Sequence, residues 1–197
     1  PDRAEALLET ALAERPVWLE GHKALSVLRW TSGDAVRFAD SYAAALARHP
    51  ANPDLWLAWF RALAQTRDWA ATRAVLDRAT AALGETPALL VARLFVASES
   101  GDLPETENLL ARTAAIQGET INLCRVRHYL RTGRLAEAEA TALPQVITPS
   151  APLFWPYVSL IWRMAGDARA EWLDRPEQFI RPVEVELTPA ELAELAE

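Results

Sequence analysis

Three histidines, one cysteine and a scatter of carboxylates are the residues here that could do chemistry. His22, His49 and His128 are too far apart in sequence to form a local metal motif, and none is followed two residues later by an acid. His49 precedes Pro50 at a helix end, where an imidazole can meet free carbonyls. His22 and His128 read as surface or groove residues on first helices of hairpins rather than as ligands. Cys124 sits among apolar neighbours and reads as a buried structural thiol. A single cysteine excludes an internal disulfide and points to a reduced, cytoplasmic setting. Glu105 and Glu107 belong to a helix start, where carboxylates meet the positive end of the dipole. There is no Gly-rich phosphate loop, no CxxC and no Ser/His/Asp order with local support. No catalytic residue, metal ligand or cofactor is expected within these residues.

The elements that would position any site are helical. Across Asn52 to Pro87, Trp56, Trp59, Phe60 and Leu63 fall three, four and seven apart, which places them on one helix face. Arg67-Asp68 interrupts that pattern. A second helical phase follows, with Trp69, Val75, Leu76, Ala79 and Leu83 inward, until Gly84 and Pro87 stop it. This αα-hairpin cannot bury its apolar faces alone, and it recurs. The turns Gly33-Asp34, Arg67-Asp68, Gly101-Asp102, Gly133-Arg134 and Gly166-Asp167 are separated by 34, 34, 32 and 33 residues, by subtraction.

The period and its residues resemble the tetratricopeptide repeat, a helix-turn-helix unit of 34 residues. Trp56, Leu76 and Ala79 match within the central unit. Ala4, Leu8, Ala11 and Pro16 match the second helix of an earlier unit, and Tyr42, Ala45 and Pro50 the unit between. Leu90 and Asn122 stand where the first Trp would be, and Phe60 replaces a small residue. The resemblance covers roughly residues 2 to 174. It implies an all-α, right-handed superhelical array of about five hairpins that binds a protein or peptide rather than performing chemistry.

The resemblance also implies which residues face the concave groove. They are Lys23, Val27 and Trp30, then Leu57, Arg61 and Gln65, then Phe95 and Ser98, then Leu123, Arg127 and Arg131, and last Arg163. The cations among them suit an acidic peptide, bound by charge-assisted hydrogen bonds. Charge reversal at Arg127 and Arg131 together is expected to abolish capture with helical content unchanged. The Asn residues of the chaperone-tail carboxylate clamp are absent, with Val27 and Ala58 in their places, so that ligand is not expected.

Composition narrows the classes further. A hydrophobic fraction of 51% and eight Trp exclude a disordered chain. Each Trp is expected in the core, where burial of roughly 150–250 Å² contributes several kcal/mol before entropy is subtracted. A net charge of −7 argues against nucleic acid, which needs a basic footprint. No apolar run is long enough to span a membrane. Chain order gives helices over 2–14, 17–30, 34–48, 88–99, 103–115, 120–131, 135–142, 153–165 and 168–173 around the central pair. The partner of the first helix would lie before Pro1, so that face is expected to be uncapped unless residues are missing, and self-association through sticky array ends is a third reading.

Residues 1–175 are therefore read as one repeat domain and 176–197 as a linker and the start of a second domain. Pro182 to Leu187 alternates as a strand would, and Thr188, Pro189 and Glu191 open a capped helix. Trp162 to Asp167, Glu171 to Asp174 and this tail resemble the joint in bacterial proteins that fuse such repeats to a 2-oxoglutarate/iron(II) oxygenase. That likeness implies a recruiting or dimerising arm whose catalytic domain lies beyond residue 197.

Overall fold

In the computed structural model, residues 2–175 together with Val183, Leu187 and Thr188 are described. They form α1 (Asp2–Glu14), α2 (Leu19–Thr31), α3 (Asp40–Arg48), α4 (Pro53–Thr66), α5 (Trp69–Leu83) and α6 (Pro87–Ser100). Then come α7 (Leu103–Arg112), α8 (Glu119–Arg131), α9 (Leu135–Ala142), a 3-10 turn (Leu143–Ile147), α10 (Ala151–Ala165) and α11 (Arg169–Asp174).

Local sequence starts and stops these helices. Asn52 accepts from Asp54 and Leu55 N–H ahead of Pro53, and one period later Thr86 accepts from Leu89 N–H ahead of Pro87. Asp68 and Asp102 cap α5 and α7 in the same way, through Ala71 and Glu105 N–H. The first residue of each repeat turn is left-handed at all five: Gly33, Arg67, Gly101, Gly133 and Gly166 have φ of 83°, 59°, 79°, 74° and 67°. At the four glycine turns the next N–H reaches back five residues, as from Asp102 to the Ala97 carbonyl at 2.9 Å and from Asp167 to Trp162 at 2.8 Å. The Arg67 turn lacks that bond: the Asp68 N–H meets the Thr66 hydroxyl at 3.4 Å, and that hydroxyl itself donates to the Leu63 carbonyl at 2.7 Å.

The even-numbered helices α2, α4, α6, α8 and α10 pack on one another in succession and form one layer. Each odd-numbered helix between them packs on both the even helix before it and the one after it, forming the second layer. This is a stacked array of hairpins. Its interior divides into three apolar clusters. Phe38 to Val96 makes the largest, Leu94, Ala97, Leu109, Ile121 and Cys124 a small middle one, and Val126 to Ala170 the third. Helices α6 and α8 each give opposite faces to two clusters.

Several expectations change. Of the tryptophans, Trp56, Trp59 and Trp162 are buried and Trp69 and Trp155 half-buried, but Trp18, Trp30 and Trp172 are exposed. The period assigns a helix face but not what covers it. In α1 only Leu12 is fully buried, while Leu7 is 64% exposed. Helix α3 starts at Asp40 rather than Asp34. The Asp34 carboxylate accepts from Arg37 N–H, and Arg29 Nη1 takes the Arg37 carbonyl at 2.8 Å, so the first turn is held out of helical geometry. Of the expected tail strand, Val183 and Leu187 are described and neither is in a strand; the rest of it, the capped helix after Thr188 and the second-domain start lie outside the described residues.

The two histidines expected on the surface or in the groove, His22 and His128, are instead in the interior. His22 is 1% exposed, stacked on Tyr42 at 4.9 Å. Its Nε2 donates to the Pro16 carbonyl and its Nδ1 accepts from the Ser41 hydroxyl, each at 2.9 Å. Burial holds its pKa below the ordinary value, and the Pro16 carbonyl offsets this only in part. Burial likewise pushes the Tyr42 hydroxyl up to about 12. His128 is buried with Nε2 against the Glu107 carboxylate. Arg134 bonds the same carboxylate and, with His128, holds it below the usual carboxylate range. Cys124 is fully buried, and burial raises its thiol pKa.

Candidate functional site

Helices α4 and α6 lie side by side in the even-numbered layer, and a cleft of about 780 Å³ opens between them. Its walls follow from helical spacing. Leu57, Arg61, Ala64 and Gln65 recur along one face of α4, and Val91 and Phe95, one turn apart, along the facing side of α6. Phe60 meets Phe95 edge to face at 6.1 Å and floors the cleft. Trp69 and Arg67 border it at the α4–α5 turn, and Ile116 closes the side toward α8. A second cleft of about 250 Å³ lies between α2 and α4, lined by Lys23, Val27, Tyr42 and again Arg61 and Gln65.

The lining is mostly apolar with a few cations at its border. Arg61, Gln65 and Arg67 make no side-chain hydrogen bond or ion pair among the described residues. Glu99 also borders the larger cleft, but its carboxylate is paired with Arg127. Unpaired charge at this cleft is therefore positive. Such a site can desolvate an apolar side chain and pair a carboxylate at the same time.

Of the residues expected in the groove, the structure brings Lys23, Val27, Leu57, Arg61, Gln65 and Phe95 to these two clefts. The others lie elsewhere. Trp30 packs edge-on against Phe38 at 5.5 Å and stays half exposed outside both clefts. Arg127 is consumed internally: Nε donates to the Tyr157 hydroxyl at 2.6 Å, Nη1 pairs with Glu99, and the guanidinium lies over the Tyr157 ring. Arg131 Nη1 donates to the Ser98 carbonyl at the end of α6. Both arginines thus join even-numbered helices to one another. Arg163 is in the last turn of α10 and borders neither cleft.

Sequence reasoning missed Phe60, Arg67, Trp69, Val91 and Ile116. Val91 stands one turn before Phe95 and was within reach of the offset pattern. Arg67 carried its own signal, as the one repeat turn without glycine. Among the described residues no cluster of His, Cys, Asp and Glu could hold a metal ion, and no helix is long and apolar enough to cross a membrane.

No protein-family model matches this chain, and no curated protein does. Among solved structures, a tetratricopeptide repeat protein from Parabacteroides merdae ATCC 43184 superposes with a TM-score of 0.62. The match covers 91% of this chain and 73% of that one at 14% identity. At that identity the likeness concerns the fold: the chain is a helical-hairpin array of the tetratricopeptide repeat type.

Proposed function

We propose that the chain is a protein-interaction module, and that the even-numbered layer binds an extended segment of a partner with the α4–α6 cleft as its main seat. The observation that carries this is the cleft itself, about 780 Å³ of mostly apolar lining bordered by the uncompensated Arg61. Large, mostly apolar concavities mark interaction or ligand sites. Neither an enzymatic step nor a cofactor enters this reading.

The test is a photo-crosslinking amino acid placed at Gln65 in the cleft and, as a control, at Ala81 on α5. Crosslinks formed from Gln65 and not from Ala81 are expected. Equal capture from both positions, or capture from Ala81 alone, would move binding away from this layer.

A second reading makes the array the recruiting arm of a 2-oxoglutarate/iron(II) oxygenase. Its support is sequence from Trp162 onward, but the repeat already accounts for part of that stretch. Trp162 is core, donating Nε1–H to Glu139 at 2.8 Å, and Gly166-Asp167 is the fifth repeat turn. Transcript sequence beyond Glu197 encoding His-x-Asp and a later His would support it. A stop codon there would remove it.

A further inference from the structure

We infer that the preferred occupant of the α4–α6 cleft is a peptide segment carrying a bulky apolar side chain flanked by acidic residues, with Arg61 and Arg67 receiving the carboxylates. This deepens the proposed partner-binding reading and rests on it.

Two independent observations point to this chemistry. The first is the pairing of charges. Glu99, the acid bordering the cleft, is neutralised by Arg127, while Arg61 and Arg67 have no side-chain partner among the described residues. Although the chain carries a net charge of −7, a ligand seated in the cleft responds to charges within a Debye length of about 8 Å. Among the residues lining the cleft, the unpaired charges are Arg61 and Arg67.

The second is the backbone at Arg67. Four of the five repeat turns place glycine in the left-handed region and close with a five-residue backbone bond. Arg67 holds the same region at φ 59° with a side chain present, and its turn replaces the closing bond by the Thr66 hydroxyl. The fold therefore accommodates a disfavoured residue at the one turn that borders the cleft. Strained placements of this kind concentrate at binding sites. In the same lining as the two arginines, Leu57, Phe60, Val91 and Phe95 offer an apolar seat that a charged segment alone would leave unfilled.

The test is selection of short random phage-displayed peptides on the whole chain, followed by affinity measurement of the enriched peptides on three folded variants. Enrichment of an aromatic or large aliphatic residue flanked by Asp or Glu is expected. Affinity should weaken about tenfold or more on Arg61→Glu, as for loss of a charge-assisted bond. It should also weaken on Arg67→Gly, a change that relieves the backbone and so cannot act by unfolding. Enriched peptides without acids, bound equally by both arginine variants but lost on Val91→Glu, would overturn this inference and leave the cleft as a binding site. Peptides insensitive to all three variants, or no enrichment at all, would overturn it along with the choice of cleft.

Discussion

Arg29 Nε donates to Glu5 Oε1 at 2.9 Å from a side chain only 4% exposed, which fixes the first helix of the array to the second. The same guanidinium donates to Glu9 at 2.6 Å and to the Arg37 carbonyl at 2.8 Å. Arg37 bonds both acids from the outside. A buried charge is tolerated here because every face of it is hydrogen-bonded. Arg29→Ala leaves Glu5 with Arg37 alone as its cation and frees the Arg37 carbonyl. A loss of about 3 kcal/mol is expected in urea unfolding followed by circular dichroism. Glu5→Gln should lose less, since Glu9 still reaches Arg29.

Arg67→Gly is expected to stabilise the chain by about 1 kcal/mol, because glycine meets no Cβ penalty at φ 59°. Gly101→Ala, at φ 79°, should destabilise by a similar amount. A thermal melt of each variant checks both signs. Equal melting of Arg67→Gly and the parent would show that the turn bears no strain.

The pH dependence follows from His22. Its folded pKa lies below the unfolded value of about 6.5, so the unfolded chain binds the proton first. The stabilising contribution is complete above about pH 6.5. It declines as pH falls from there toward the folded pKa, with a slope of at most about 1.4 kcal/mol per pH unit. His22→Gln should flatten that part of the stability curve. A curve unchanged by the substitution would mean that His22 is not the titrating group.

Charge reversal at Arg127 and Arg131 now has a different expected outcome from the one the groove pattern implies. Arg127→Glu would set a carboxylate beside Glu99 and remove the bond to Tyr157. Destabilisation by about 2 kcal/mol or more is expected, so lost capture by this variant would not identify a binding residue. Urea midpoints measured beside any capture assay separate the two effects.

Cys124 should resist thiol reagents in the native protein, since it is fully buried and burial raises its pKa. Ellman's reagent is expected to react only on unfolding, at a rate that reports opening of the middle cluster. Fast native reaction would contradict the packing of α6 on α8.

The array was legible in the sequence because its signals are local. Glycine and aspartate at a fixed period mark turns, and the α1 and α9 bounds follow from apolar spacing and flanking proline. What escaped depends on contacts between hairpins. Arg29 has no local signal of burial; Glu5 and Glu9, one turn apart on another helix, and the Arg37 carbonyl make it interior. His22 and His128 are polar on helices whose covered faces are set by neighbours. The groove offsets found Arg61 and Gln65 because α4 stands beside α6 without a bridge at that level. They misjudged Arg127 because Tyr157 arrives from the next repeat.

The division of the interior into three clusters has a mechanical consequence. The cluster between α6 and α8 is the smallest of the three, and polar ties surround it, Arg127 and Arg131 joining α8 to α6 and His128 joining it to α7. Polar ties are short-ranged, whereas apolar faces can slide while still excluding water. Pulled from its ends, the chain should behave as a spring with one soft coil. That seam would part at low force and reseal before any helix unwinds, whereas the larger clusters on either side yield later as separate steps.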